Sequence, residues 1–523
     1  MVDKPVDWQP ACRQAEALAN AARSAEALAL CEATLAQHAD NLDAHLSFGA
    51  LLLGFGFLGA AEACFRRGRQ LAPQDLRCVV NLANVAREAG QHGEARRLYA
   101  ALLDHLPDHP VIRRNALVSL EYDFQVTDAE RFAQALAWGH WAIGRAGGLR
   151  PRPPLAPLAG RRLRVGYLSA DFCQHPVGLF LKDVLAAHDR TQVEVFAYGA
   201  GRVVDWVSEA IRRAATFHDV SLLDDAAVAA RIAQDQVDVL VDLSGHTGGS
   251  RLTVFAHRPA PVQVSWLGYF ATTGLPVMDA VLLDDWHAPP GMEAQFSEAI
   301  VRLPGGRFCY TPVPFAPAVA EPPCLTRGAV TFGCFNNTAK LNGAVYALWA
   351  RLLQAVPGSR LVLKWRTFQD DGLCAAVRRS FASLGIAAER LELRPASFHA
   401  DLLKEYADID IALDPFPFSG GLTSCEALWM GVPVVTWPQS RVVGRQTYAF
   451  LSAIGLADLA ATDADGYVAI AAALASDPDR LRQLRHGLRP RMTASPLCDV
   501  VGFTRRLEAA YQQLFRLEKR GEI

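Results

Sequence analysis

The chain has 523 residues, 20% of them charged, and a formal net charge of −2. That length suggests about three domains at roughly 150 residues each, and the near-neutral balance with dispersed basic residues argues against a nucleic-acid partner. Eleven scattered cysteines with no CxxC pair speak against a zinc ribbon or a disulfide framework, and reduced thiols in a cytoplasmic protein are the plain expectation.

Residues 1–5 lack the pattern of a signal peptide. The first 110 residues are helical in composition and repeat themselves. Pro73-Gln74-Asp75 returns as Pro107-Asp108-His109, and Gly56, Ala61 and Phe65 are matched by Gly90, Ala95 and Tyr99, each 34 positions on. Ala27 falls in register with Ala61, and Ala39 stands where the proline would be. Small residues at a helix crossing with a 34-residue period are the tetratricopeptide pattern, here about two and a half repeats. The apolar run 49–61, with Gly49, Gly54, Gly56 and Gly59, is then an inter-helix turn region, too short to span a bilayer. Stacked helix pairs of this kind offer a concave face to a protein partner; the alternative is a helical cap with no ligand.

Residues 115–148 stay helical without the period, and Pro151-Arg152-Pro153-Pro154-Leu155-Ala156-Pro157 reads as a stiff linker. From Leu163 apolar strands alternate with helices. Strands are expected at 163–168, 193–198, 237–243 and 262–267, and a second series at 330–335, 360–364, 409–413 and 432–436. Continuous Val/Leu-rich strands between helices mean parallel sheets covered on both faces. Two series split near the Pro-rich stretch 312–323 mean two doubly wound domains, with ligands expected in the cleft between them. Residues 500–517 carry Phe503, Leu507, Ala510, Tyr511, Leu514 and Phe515 at helical spacing, a closing amphipathic helix. The expected division is helical repeats over 1–110, a helical linker region over 111–160, and Rossmann-like lobes over 161–320 and 321–523.

Open α/β sheets bind ligands at the carboxyl ends of their strands. The strand at 330–335 leads to Asn336-Asn337-Thr338-Ala339-Lys340, where Lys340 is a point charge suited to a phosphate. The strand at 409–413 leads through Asp414 to Ser419-Gly420-Gly421-Leu422-Thr423-Ser424 and a helix expected to begin near Cys425. Backbone N–H groups at such a helix start suit a phosphate, and Thr423 and Ser424 add hydroxyls or cap the helix. Glu426 is expected in the first helical turn, as a ligand for a ribose diol or as simple capping chemistry. Together the two segments suggest one diphosphate site. The first strand leads to Asp171 and His175, four apart. His175 is either a general base oriented by Asp171 or a structural residue capping the next helix. His246 also follows a strand end and is as well explained by structure. No acidic metal box is found: Asp408-Ile409-Asp410 stands at the wrong end of its strand, and Asp284-Asp285 is only an adjacent pair.

At these positions the sequence resembles the SPINDLY and O-GlcNAc transferase family of protein O-glycosyltransferases. The resemblance rests on Arg164-Val165-Gly166-Tyr167, Asp171 with His175, Arg258-Pro259-Ala260-Pro261-Val262-Gln263, Trp266-Leu267-Gly268-Tyr269, Phe335-Asn336-Asn337 with Lys340, and Glu426-Ala427-Leu428-Trp429-Met430-Gly431. It covers the whole chain, repeats included. It implies two Rossmann-like lobes of the GT-B type behind helical repeats, and an inverting, metal-independent transfer of a sugar from a nucleotide diphosphate to Ser or Thr. It places Lys340 with Asn336 and Asn337 at the diphosphate, Thr423 as a phosphate-binding hydroxyl beside Gly420, Gly421 and Ser424, Glu426 at the ribose, and His175 and Asp171 on the acceptor side. No cofactor, metal, nucleic acid or membrane is implied, and the acceptor is a protein recruited by the repeats. Removing the repeats is accordingly expected to spare chemistry at the donor. Ser419-Gly420-Gly421-Leu422-Thr423 and Phe270 depart from the family pattern. UDP-GlcNAc is the expected donor, with GDP-fucose as in SPINDLY the alternative, a flagellin-type dedicated transferase and an inactive repeat scaffold being the other readings.

Overall fold

The computed structural model describes residues 7–158 and 160–520, so residues 1–5 lie outside it. Two compact units form, each from two stretches of chain. One holds the chain up to Asp123 together with Pro323–Pro415, and the other holds Phe124–Pro322 and the chain from Phe416 onward.

The second unit contains a seven-stranded parallel sheet. Its strands are β1 (Leu163–Ser169), β2 (Val193–Gly199), β3 (Thr216–Asp219), β4 (Val239–Asp242), β5 (Val262–Ser265), β6 (Ala280–Leu283) and β7 (Ala299–Arg302), in the order β3-β2-β1-β4-β5-β6-β7. Buried β1 and β4 lie side by side, Val165 opposite Val239. The chain winds outward one way from β1 and the other way from β4, which makes a topological switch point between them. The closing helix, Val500–Lys519, lies on this sheet. Tyr511 meets the ring of Tyr167 at 6.3 Å, and Glu508 Oε1 accepts from Asp189 N at 2.8 Å and pairs with His188 Nδ1 at 2.9 Å.

The repeat unit begins with three antiparallel helix pairs: Gln9–Asn20 with Ser24–Gln37, Leu42–Phe55 with Leu58–Leu71, and Leu76–Glu88 with His92–His105. The residues in 34-residue register are its core. Ala27, Ala61 and Ala95 are buried at the crossings, with Phe65 and Tyr99 beneath them. Asn41 and Asp75 start their helices by accepting from Ala44 N at 3.0 Å and Arg77 N at 2.9 Å, each such cap contributing about 1 kcal/mol. The apolar run at 49–61 spans the end of one helix and the start of the next, and among the described residues no helix is long and apolar enough to cross a membrane.

The same unit carries a second parallel sheet: β8 (Thr331–Cys334), β9 (Arg360–Lys364), β10 (Leu391–Arg394) and β11 (Ile411–Leu413), in the order β10-β9-β8-β11. The helical repeats dock on it by their turns. Gly56 and Gly90 end their helices at φ of +93° and +75°, a left-handed conformation that favours glycine. A Cβ on Gly56 would stand 2.8 Å from Arg366 O, after β9, and one on Gly90 would stand 2.4 Å from Leu341 O, after β8. Successive repeats thus meet successive strand-to-helix loops. Gly59 N donates to Asp370 Oδ2 at 2.8 Å, Arg366 Nη2 pairs with Glu88 Oε2 at 2.8 Å, and Thr338 Oγ1 donates to Glu88 O at 2.8 Å. His92 Nε2 donates to Ala339 O at 2.7 Å; a buried carbonyl that lost such a partner would cost about 1–3 kcal/mol.

The expected helical repeats and parallel sheets are all present. β3, β7 and β10 were not expected, because edge strands with half-exposed polar residues lack a continuous apolar run. β6 is buried but only four residues long. The expected strand at 432–436 shrinks to Val434–Val435.

Candidate active site

In the second unit, the strand-end loops of β1 and β4 meet at the switch point, where Ser169 Oγ lies 3.3 Å from Ser244 Oγ. The β1 loop carries Asp171 and His175. His175 is the N-cap of helix Pro176–Ala187, its Nδ1 accepting from Val177 N at 3.3 Å. With Nδ1 so engaged the neutral ring carries its proton on Nε2. Asp171 Oδ2 stands 3.7 Å from Nδ1, an ion-pair distance beyond a hydrogen bond. The imidazole is 45% exposed. Burial disfavours its cation, lowering its pKa against the pull of Asp171, and raises that of Asp171 against the pull of His175. The capping and chemical readings therefore share one ring: Nδ1 caps, and Nε2–H is presented outward.

His246, after β4, is fully buried, with Nε2 2.9 Å from Thr273 O and its ring edge-on to Trp138 and Tyr269 at 4.4 and 5.1 Å. It is structural. From Tyr269 the ring packing runs to Phe270 and on to Phe418, at 5.0 and 4.6 Å, so the unusual Phe270 supports the segment entering the Gly420-Gly421 turn.

That turn leads into helix Leu422–Trp429, with Gly421 as N-cap. The helix begins three residues earlier than expected, so Glu426 is not in its first turn and is not a capping residue. It lies buried in the second turn. Ser424 Oγ is 2.7 Å from Thr447 Oγ1, which in turn donates to Gly420 O at 3.2 Å. The Ser424 hydroxyl thus holds the turn together, while Thr423 is half-buried in the first turn.

In the repeat unit, β8 and β11 flank the second switch point. Asn336, Asn337 and Lys340 come together after β8: Lys340 Nζ donates to Asn336 Oδ1 at 3.0 Å, and Asn337 Oδ1 accepts from Ala339 N at 2.9 Å, closing the 3-10 turn Thr338–Lys340. Asn342 then caps helix Gly343–Ala355, accepting from Ala344 N and Val345 N at 3.0 and 3.1 Å. Burial lowers the Lys340 pKa to about 8, opposed by Asp414 at the end of β11 and by Cys334. A half-buried ammonium beside a helix N-terminus is electrostatically prepared for an anion. Asn342, Thr338 and His92 escaped the sequence reading; the Asn342-Gly343 cap before an apolar helix was a usable local signal, whereas the partner of His92 lies 247 residues away.

These shifts set a pH expectation. Lys340 is cationic below about pH 8 and neutral above, and His175 is neutral above a pKa below its usual 6.5. The kcat/KM for donor, which reports the free enzyme, is expected to fall as pH rises through about 8, where Lys340 loses its charge, and on the acid side as Asp171, whose pKa burial raises from the usual 3.8, takes up a proton. A profile flat to pH 10 would remove Lys340 from the reaction.

Two Rossmann-like sheets behind stacked helical repeats, with a lysine at one switch point and an acid–imidazole pair at the other, define a chain of the GT-B glycosyltransferase class. The model for Glycosyl transferase family 41 matches residues 149–310 and 321–507, and the chain belongs to that family. A lysine-to-methionine variant of the Thermobaculum terrenum O-GlcNAc transferase superposes with a TM-score of 0.88 at 35% identity, covering 98% of this chain and 99% of that one. The Petunia hybrida protein named probable UDP-N-acetylglucosamine–peptide N-acetylglucosaminyltransferase SPINDLY is 37% identical over 80% of this chain and 45% of its own length. The UDP-N-acetylglucosamine–peptide N-acetylglucosaminyltransferase of Caenorhabditis elegans is 24% identical over 69% of this chain and 41% of its own. The chain spans about half the length of these curated relatives.

Proposed function

We propose that the protein transfers a sugar, GlcNAc from UDP-GlcNAc, to Ser or Thr hydroxyls of an acceptor protein in the cytoplasm, with inversion and without a metal. The observation that carries this reading is the Asn336–Lys340 pair at the β8 switch point, a fixed cation of the kind that can neutralise a leaving diphosphate. The acceptor oxygen attacks the anomeric carbon as the bond from that carbon to the diphosphate oxygen breaks, and the electron pair leaves with the diphosphate. Lys340 neutralises it. The Gly420-Gly421 turn and Thr423 carry backbone and hydroxyl donors of the kind that suit phosphate oxygens, and the Glu426 carboxylate is of the kind that suits a ribose diol. The hydroxyl proton passes to the carboxylate of Asp171, whose proton affinity burial raises. His175, with Nδ1 occupied, donates from Nε2 to a substrate oxygen. The repeats recruit the acceptor. The names of the similar proteins support UDP-GlcNAc as donor.

Hydrolysis and protein transfer measured across UDP-GlcNAc and GDP-fucose test the donor. Turnover of GDP-fucose alone would replace the reading with O-fucosylation, and no turnover of either would leave an inactive scaffold. Transfer confined to one partner such as flagellin would mark a dedicated transferase. Countercharge from Lys340 and the helix after Gly421 leads us to expect full activity in EDTA. Activity lost on chelation and restored by Mn²⁺ or Mg²⁺ would contradict the mechanism.

A further inference from the structure

The 3-10 turn Thr338–Lys340 is short, and its position is fixed from two sides. From within, Asn337 Oδ1 takes Ala339 N at 2.9 Å. From outside, the partners come from the helical repeats. Thr338 Oγ1 donates to Glu88 O and lies 2.8 Å from Thr367 Oγ1, so that hydroxyl ties the turn both to a repeat helix end and to the loop after β9. His92 Nε2 reaches Ala339 O at 2.7 Å. Ala339 precedes Lys340, so this bond holds the peptide plane from which the lysine departs.

Each of these repeat groups is itself fixed. His92 is buried, and its ring stacks on Tyr122 at 5.7 Å with 21° between planes. A carbonyl only accepts, so Nε2 carries a proton; burial disfavours the imidazolium and lowers the pKa, which keeps the ring neutral. Glu88 is buried and paired with Arg366 at 2.8 Å and Arg87 at 3.3 Å. Gly90, two residues before His92, lets the backbone come against Leu341 O. A repeat array that served only to recruit a partner would not need a buried, stacked imidazole aimed at this carbonyl.

We infer that His92 is a positioning residue for the transfer reaction: through Ala339 O, and with Thr338 clamped on Glu88 O, the last repeat holds Lys340 at the place where leaving-group charge develops. The inference rests on the reading of Lys340 as the diphosphate cation. His92 touches no substrate and acts only through the turn. Its loss should therefore lower kcat more than it raises KM for the donor, because charge neutralisation is needed most in the transition state.

Donor hydrolysis by the full chain, assayed with UDP-GlcNAc and with GDP-fucose, tests this. His92→Phe keeps the ring on Tyr122 and removes the donor; His92→Gln places an amide N–H near the position of Nε2. His92→Phe is expected to lower kcat about ten-fold or more, since small displacements of a reacting group cost rates of this order. The melting temperature should shift little, and His92→Gln should recover most of the rate. Because His92 acts through Lys340, the double variant with Lys340→Ala should be no slower than Lys340→Ala alone. Thr338→Val removes the second clamp and should repeat the kcat loss if His92→Phe folds poorly. Wild-type kcat in His92→Phe and Thr338→Val beside an inactive Lys340→Ala would overturn the inference and leave the site reading intact, as would losses that multiply in the double variant. Wild-type turnover in Lys340→Ala would overturn the site reading itself.

Discussion

Lys340→Ala is expected to lower turnover by at least about 10²-fold, the loss seen when a preorganised donor to developing negative charge is removed, or about 2.7 kcal/mol of transition-state stabilisation. The side chain makes a 3.0 Å bond to Asn336 Oδ1 and carries a charge that burial already disfavours. Removing it relieves a desolvated cation, so the melting temperature should not fall. Lys340→Arg should restore little, because a planar guanidinium does not fit the pocket of a compact ammonium. Steady-state hydrolysis of the active donor, with melting curves of the same preparations, gives the result. A variant near wild-type turnover would sink the assignment.

Removing residues up to Pro107 is expected to abolish protein transfer and to slow donor hydrolysis as well. This reverses the sequence-based expectation, which placed every donor-binding residue after Leu163. The structure gives the reason: the last two repeats supply the partners of the loops after β8 and β9. Truncation strips Glu88 from Arg366 and Thr338, His92 from Ala339, and Gly59 from Asp370. It also takes from Gln369 Nε2 its acceptor, Phe55 O. Each orphaned buried group costs about 1–3 kcal/mol, enough in sum to threaten a domain whose net stability is about 5–15 kcal/mol. Soluble yield should drop, and the soluble fraction should hydrolyse donor at least about ten-fold more slowly. A truncated protein that is soluble, monodisperse and fully active on donor would show that the repeats serve recruitment alone.

Much of this was legible in local pattern. Asn336 and Lys340 are four residues apart at the end of an apolar strand, so the sequence itself brings them into contact. The 34-residue register exposed Gly56, Gly90, Ala61 and Ala95 because stacking repeats bury the same positions each time. What those two glycines touch was not legible. The period reports packing inside the array, whereas docking on Arg366 and Leu341 depends on chain more than 200 residues away. The start of helix Leu422–Trp429 was misjudged because Thr423 and Ser424 read as turn residues, and that displaced Glu426 by a full turn. Two readings stand for His175 because its Nδ1 accepts from Val177 N while the chemical reading uses Nε2, a distinction no sequence pattern carries.

The repeat unit is built from two stretches separated in the chain by the whole first sheet. On the ribosome its helical repeats emerge complete long before the strands that cover their turns. With roughly 200 residues between Asp123 and Pro323 and synthesis at about 5–20 residues per second, the docking face waits on the order of 10–40 s for its partner. During that time His92, Glu88 and the glycine turns face water or a chaperone. Nascent-chain release halted just before Pro323 should therefore yield helical arrays that are sensitive to protease at Gly56 and Gly90, and protection should appear only after β8 to β11 have been made.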